Sequence, residues 1–265
     1  MVRDVACEWL RVGGYAYDVA VDPPFTGGFD WRTTRPEDYT HVVFVCGPFQ
    51  RGLHEQQFLT HFRSCRLIGL DLSMLVPLDE WNPFHVLLER DSSVTSRPDI
   101  AFLSRQHLAP AVGRCLVEDY PNSRCDLANA AIARLLADRE CAIVEIDTRL
   151  DINSAGLRTP AEIESLIARV DVLVTTRLHG LALALKNGVP ALAVDPMGDG
   201  AKILKQAKTV GWPFAFPADA VTDRQLRDAF EHCLTGEARV QAAECGAHAK
   251  RMLSPVQQRF LAAFQ

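Results

Sequence analysis

Short, continuous apolar runs alternate through most of the chain with longer stretches in which apolar residues recur every three or four positions. The alternation is cleanest after residue 114. There the pattern predicts strand 114–120 (RCLVEDY), helix 125–139, strand 142–147 (AIVEID), helix 159–170, strand 171–176 (DVLVTT), helix 180–188 and strand 189–195 (VPALAVD). Strands alternating with helices of this length define βαβ units, and their near-continuous apolar character is that of strands buried on both faces. Two further helices follow Thr222, a good N-cap residue. The first part of the chain is richer in Pro and Gly, with strands predicted at 15–21 (YAYDVAV), 41–47 (HVVFVCG), 66–72 (RLIGLDL) and 84–90 (FHVLLER).

Pro and Gly interrupt the apolar pattern at 104–114, which places a boundary between two halves, 1–108 and 109–265. Both halves read as α/β units, the second with a parallel sheet. Facing each other, they would enclose a cleft.

Composition narrows the function classes. With 265 residues and 48% hydrophobic content the chain can bury a substantial core. Its 28 Lys+Arg against 33 Asp+Glu give a net charge of −5, so no overall basic field points to nucleic acid or to an anionic membrane surface, and any anion site must be local. Eight cysteines form no C-x-x-C pair, several sit in apolar runs, and we expect reduced thiols in a cytoplasmic protein. No window has the length and apolarity of a membrane span, and the first residues lack a signal-peptide core.

Candidate chemistry follows from the parallel-sheet rule that ligands bind beyond the carboxyl ends of the strands, where helix N-termini also point. After DVLVTT come Arg177 and His179, and after AIVEID come Arg149 and Asp151. After RCLVEDY come Asn122, Ser123 and Arg124, ahead of a helix whose first turn could hold a phosphate. On an extended backbone Arg177 and His179 would point to one side and share a ligand, the guanidinium holding an anion and the imidazole moving a proton. Each residue also has a structural reading. Arg177 could pair with a nearby carboxylate, Asp151 could neutralise Arg149, Asn122 and Ser123 could be turn residues, and Asp126 could be an N-cap. No H-x-x-x-H or H-E-x-x-H suggests a metal, and GGF (27–29) and GDG (198–200) match neither G-x-G-x-x-G nor the P-loop.

At these residues the sequence resembles the polysaccharide pyruvyl transferases, in which a strand ends in R-L-H, a small-residue helix follows, and G-V-P leads into another strand. Here that stretch is DVLVTTRLHGLALALKNGVPALAVDP (171–196). LLERDSSVTSRPDIAFL (87–103) is similar to the family's R-D-x-S followed by P-D-x-A-F, and GAKI (200–203) lies where members often carry a lysine. The resemblance covers roughly residues 40–216. An N-x-G-D-like loop, which family members usually carry after a first strand, is missing; the second core strand ends in CGPF with the single Gly47, so the N-terminal half is read as reduced.

The resemblance implies two Rossmann-like halves of the GT-B kind, the first on the acceptor side and the second on the donor side. It also implies an enzyme that moves the enolpyruvyl-derived group of phosphoenolpyruvate onto saccharide hydroxyls as a ketal. Phosphoenolpyruvate would be a donor substrate, with no cofactor. In that reading His179 is the general acid/base and Arg177 binds the donor's anionic end. Arg90 and Asp91 match a family motif, although an adjacent Arg-Asp pair is also a common structural ion pair, and Lys202 is a further donor-site candidate. The expected partners are a small-molecule donor and a saccharide acceptor, without nucleic acid or a membrane span. Two other readings stand beside this one: a GT-B glycosyltransferase using a nucleotide sugar, and a catalytically reduced binding protein of the same fold.

Overall fold

The longest apolar runs become the centre of a parallel sheet. In the computed structural model, which describes residues 1–265 apart from 23–24, 106, 198–201 and 265, the chain divides into two compact units, Met1–His107 and Leu108–Gln265.

The second unit is a five-stranded sheet. Its strands are β4 (Ala111–Cys115), β5 (Ala142–Glu145), β6 (Val172–Thr175), β7 (Ala191–Asp195) and β8 (Ala215–Pro217), in the order β5-β4-β6-β7-β8 and parallel throughout. Counted from the unit's own first strand this is the doubly wound order 2-1-3-4-5, whose direction of winding reverses between β4 and β6. Every residue of β6 and β7 is buried, while the edge strand β5 leaves Ile143 exposed. Full burial of a Val or Leu side chain contributes about 1.5–3 kcal/mol, so Val172, Leu173, Val174, Leu192 and Val194 anchor this core.

The connecting helices are α3 (Cys125–Ala137), α4 (Pro160–Ile167), α5 (Leu178–Lys186), α6 (Lys202–Val210), α7 (Asp223–Cys233) and α8 (Gly236–Ala262). Thr159 and Thr222 open α4 and α7 with reciprocal capping boxes to Glu162 and Gln225. Asp126 does not cap α3: the N-cap position is Arg124, and Asp126 lies in the first turn. The first half of α8 packs so tightly on α5 that a Cβ at Gly246 would stand 2.4 Å from the Leu185 carbonyl oxygen.

The first unit holds a smaller parallel sheet, β1 (His41–Phe49), β2 (Arg66–Met74) and β3 (Val86–Leu88), in the order β1-β2-β3. Helix α2 (Leu53–His61) makes the crossover between β1 and β2, and α1 (Val2–Val12) packs Val5 and Ala6 with Leu70 and Ile100. The core is aromatic, with Phe49 at its centre between Phe44, Trp81 and Phe84. Between the register pairs Val45–Leu70 and Gly47–Leu72, Cys46 and Asp71 both adopt left-handed backbone, with φ of 68° and 58°. Each such residue stores on the order of 1–3 kcal/mol of strain.

Besides the Asp126 cap, predicted strands change, and that expected at 84–90 shortens to β3. Residues 15–21 form no strand; among the described residues their alternation finds no partner beyond an isolated bridge between Ala20 and Phe29, and Tyr15 and Tyr17 are exposed. The strand expected at 114–120 begins at Ala111 and ends at Cys115, because the backbone groups of Leu116 and Val117 bond to side chains instead of a neighbouring strand.

Candidate functional site

The carboxyl edge of the second unit's sheet is built around the end of β6. Thr175 is fully buried; its hydroxyl donates to the Cys115 carbonyl at 2.8 Å and accepts from the Arg177 N–H at 3.0 Å. The Thr176 hydroxyl accepts from the Val117 N–H at 2.8 Å and donates to the Asn129 amide oxygen at 3.1 Å, and Asn129 returns a bond to the Val117 carbonyl at 3.0 Å. These bonds pin the chain leaving β4 to the chain leaving β6, at the point where the winding reverses. Gly180 completes the junction, since a Cβ there would lie 2.4 Å from Thr175 Oγ1 and 3.4 Å from Cys115 Sγ. Only a glycine lets the first turn of α5 approach the strand ends this closely.

Arg177 occupies the N-cap position of α5 without capping it. Its Nε donates to the Leu116 carbonyl at 2.6 Å, and its guanidinium lies 3.4 Å from Asp147 Oδ1, with both side chains largely buried. Asp147, just beyond β5, accepts from the N–H groups of Arg149 (2.9 Å) and Ser154 (3.1 Å) and from the Ser154 hydroxyl (3.1 Å). Burial pushes the Asp147 carboxyl up, but these donors and the Arg177 charge outweigh it and hold the group below its ordinary range. Arg177 is therefore a fixed cation tying together the ends of three strands.

His179 stands differently. The helix begins at Leu178, so the same-side alternation expected of an extended Arg177–His179 stretch does not apply. Arg177 turns back toward β4 and β5, whereas His179 is exposed on the first turn of α5 and has no hydrogen-bond or ion-pair partner among the described residues.

The other candidates are more committed. The Arg149 guanidinium grips Asp151 with two nitrogens and also pairs with Glu118; Asp151 is thereby lowered to about 2 and Arg149 raised. Asn122 carries left-handed backbone at φ 61° in an exposed turn, and the Ser123 hydroxyl bonds to Asp119 and to the Tyr120 carbonyl. Arg124 pairs with Asp219 while its N–H donates to the Pro196 carbonyl at 2.8 Å. Lys202 is exposed at the start of α6 with no partner among the described residues. Residues 200–201 of GAKI, like GDG at 198–200, fall outside the described residues.

Arg90 and Asp91 belong to the first unit. Arg90 donates to Asp91 and Asp99, each at 2.9 Å, and closely to Ser73, whose hydroxyl also donates to Asp91. Bonding to Arg90 and Ser73 lowers the Asp91 carboxyl. Beside this cluster, the fully buried Asp71 accepts from Arg97 at 2.9 Å and from the Ile100 N–H at 3.2 Å through one oxygen, and its other oxygen has no hydrogen-bond partner among the described residues.

Sequence reasoning did not single out Asp147, Asn129, Gly180, Asp99 or Asp195. Asp195, closing β7, accepts from the N–H groups of Ile203 and Leu204 and so satisfies the start of α6. The available signal was a carboxylate closing a largely apolar run, as Asp147 closes AIVEID and Asp195 closes PALAVD. Among the described residues no group of three or more His, Cys, Asp or Glu side chains could hold a metal ion, and no helix is long and apolar enough to cross a membrane.

Fold and site together define a parallel α/β unit with a cation and an imidazole at its topological switch point, an arrangement suited to small anions. Residues 87–196 match the family described as polysaccharide pyruvyl transferase, so the resemblance is shown for the segment running from β3 through β7, which contains Arg90, Asp91, Arg149, Arg177 and His179. No curated protein matches the sequence. Solved structures similar to parts of it include the glycotransferase of kitacinnamycin (15% identity, TM-score 0.38, covering 68% of this chain and 51% of that one). Two others are the spinosyn forosaminyltransferase SpnP (15%, 0.36, 74% and 54%) and CalG4, the calicheamicin glycosyltransferase (12%, 0.38, 98% and 64%). The matched regions thus span about half to two thirds of those chains.

Proposed function

We propose that the protein is a transferase that moves the enolpyruvyl-derived group of phosphoenolpyruvate onto two hydroxyls of a saccharide, forming a cyclic ketal and releasing phosphate. The observation that supports this reading is the position of Arg177 and His179: the family's most recognisable turn lies at the carboxyl edge between β4 and β6. We place the reaction in the cytoplasm, a reducing compartment suited to eight free thiols.

The chemistry assigns the residues distinct tasks. Arg177, oriented by Leu116 and Asp147, presents its guanidinium to the donor's anionic end, and the uncapped first turn of α5 favours negative charge beside it. His179 gives a proton to the donor's methylene carbon, and the neighbouring carbon gains positive character as a sugar hydroxyl bonds to it. The second hydroxyl then forms its bond to the same carbon as the bond to phosphate oxygen breaks. Of the two hydroxyl protons, one replaces that given by His179 and the other leaves on phosphate. Lys202 is a further donor-side cation in this scheme. Arg149, Arg124 and Arg90 already have carboxylate partners and serve the donor only by sharing them.

The test is phosphate release from phosphoenolpyruvate against a panel of glycosides and lipid-linked or nucleotide sugars, with calorimetric titration of each donor class. Phosphoenolpyruvate binding with glycoside-dependent phosphate release is expected. Binding of a nucleotide sugar with none of phosphoenolpyruvate would replace this reading with a glycosyltransferase.

A further inference from the structure

The first half of α8 is anchored on the second unit through Ala238, Ala242, Cys245 and Gly246, but from Lys250 to Phe264 every residue is exposed. At 100° per residue, Met252, Val256, Phe260 and Leu253 fall on one arc about 100° wide, and Phe264 follows in the turn just past the end of the helix. The Phe264 ring folds back to meet that of Phe260 edge to face at 5.1 Å and extends the apolar surface. Phe260 is 63% and Phe264 77% exposed. The opposite arc carries Lys250, Arg251 and Arg259 with Ser254, Gln258 and one exposed apolar residue, Leu261, and no Asp or Glu occurs after Glu244. A purely basic, amphipathic segment stands out in a chain whose net charge is −5.

We propose that the second half of α8 is an interfacial helix that lies on an anionic lipid bilayer. Charge selects this occupant. A second copy of the segment would bring Lys250, Arg251 and Arg259 against the same three cations, with no carboxylate in the segment to pair them. An anionic surface complements all three while the apolar arc enters the acyl boundary, and Arg259 and Lys250, near the margins of the arc, can extend their head groups to the lipid phosphates. The segment is about 20 Å long and one-sided, so it lies in the interface and does not span it. The proposal is independent of the transfer reaction, because its test reads partitioning and not turnover.

The full chain is to be floated with vesicles of phosphatidylcholine alone and with added phosphatidylserine, at low and high salt. Binding that requires phosphatidylserine and weakens with salt is expected. Each cation contributes about a fivefold factor, so Lys250→Gln/Arg251→Gln/Arg259→Gln together should lower partitioning on the order of 100-fold. Val256→Ser with Phe260→Ser should abolish it while leaving the circular dichroism and unfolding of the chain unchanged, since both side chains are exposed. No binding to phosphatidylserine vesicles, or equal binding by the triple variant, would overturn the proposal. So would a concentration-dependent dimer that the Ser substitutions dissolve, because the apolar arc would then be a contact between copies.

Discussion

Asp147→Asn tests whether Arg177 is held as a buried cation. The carboxylate is 4% exposed and faces three donors, the N–H groups of Arg149 and Ser154 and the Ser154 hydroxyl, besides the Arg177 guanidinium at 3.4 Å. Asparagine keeps the shape and one acceptor but places an N–H group toward a donor and leaves Arg177 with only the Leu116 carbonyl. Removing one partner of a buried ion pair costs about 3–5 kcal/mol, and the retained acceptor brings the expected loss to about 2–3 kcal/mol. For a unit of this size that corresponds to a fall in Tm of about 5–10 °C. The sign with pH is fixed. The Asp147 carboxyl is lowered in the folded state, so its contribution is complete above the ordinary carboxylate range and fades as pH falls through the folded value. Urea unfolding followed by far-ultraviolet circular dichroism should show the gap between wild type and variant at neutral pH and its narrowing in acid. A variant within about 0.5 kcal/mol of wild type at neutral pH, or a gap that widens in acid, would refute the assignment.

The remaining predictions concern the same edge. Gly180→Ala drives a Cβ to 2.4 Å from Thr175 Oγ1, so α5 must shift; a loss of about 1–3 kcal/mol in denaturant unfolding is expected, with weaker binding of phosphoenolpyruvate by calorimetry. His179→Ala removes an exposed side chain with no partner among the described residues, so stability should stay within about 0.5 kcal/mol while glycoside-dependent phosphate release falls by about 100-fold or more. Arg149→Gln should leave donor affinity within about threefold of wild type, because its charge is already matched by Asp151 and Glu118; Arg177→Gln should weaken it far more, by about tenfold to 100-fold.

The parts of the fold that the sequence discloses are those where one force dominates. β6 and β7 are buried on both faces and so are written as unbroken apolar runs, and α7 opens with a Thr whose cap is real. β8, three residues ending in Pro217, is too short to carry a period, and α6 follows a Gly-rich stretch that hides its start. The misread segment at 15–21 has the right alternation, but alternation describes a strand's two faces and not whether a neighbour exists to bond its edge. For the candidate site, the position of Arg177 and His179 at a strand end was legible because polarity ends an apolar run there. Asp147 and Asp195 end runs in the same way, but a single carboxylate at a strand end reads equally as a solvated turn, and only the converging N–H groups of a later loop or helix distinguish the two.

The strand ends of both units show one economy that constrains the chemistry. Buried carboxylates at the strand ends or beside them are used internally: Asp71 on Arg97 and Ile100, Asp147 on Arg177 and the 149–154 loop, Asp195 on the first turn of α6. Most nearby arginines are matched as well, Arg90 by Asp91 and Asp99, Arg149 by Asp151 and Glu118, Arg124 by Asp219. Among the described residues named at the edge of the second unit, carboxylates thus outnumber cations, and only Lys202, His179 and whatever share of Arg177 is not taken by Asp147 stand without a carboxylate partner. A dianionic or trianionic donor entering there would meet few uncommitted cations, so its affinity must come from the fixed orientation of Arg177 and the α5 N-terminus, with charge density contributing little. On that account donor binding should depend only weakly on salt, and substitutions that loosen the Thr175–Gly180 junction should weaken it as much as loss of a surface cation does.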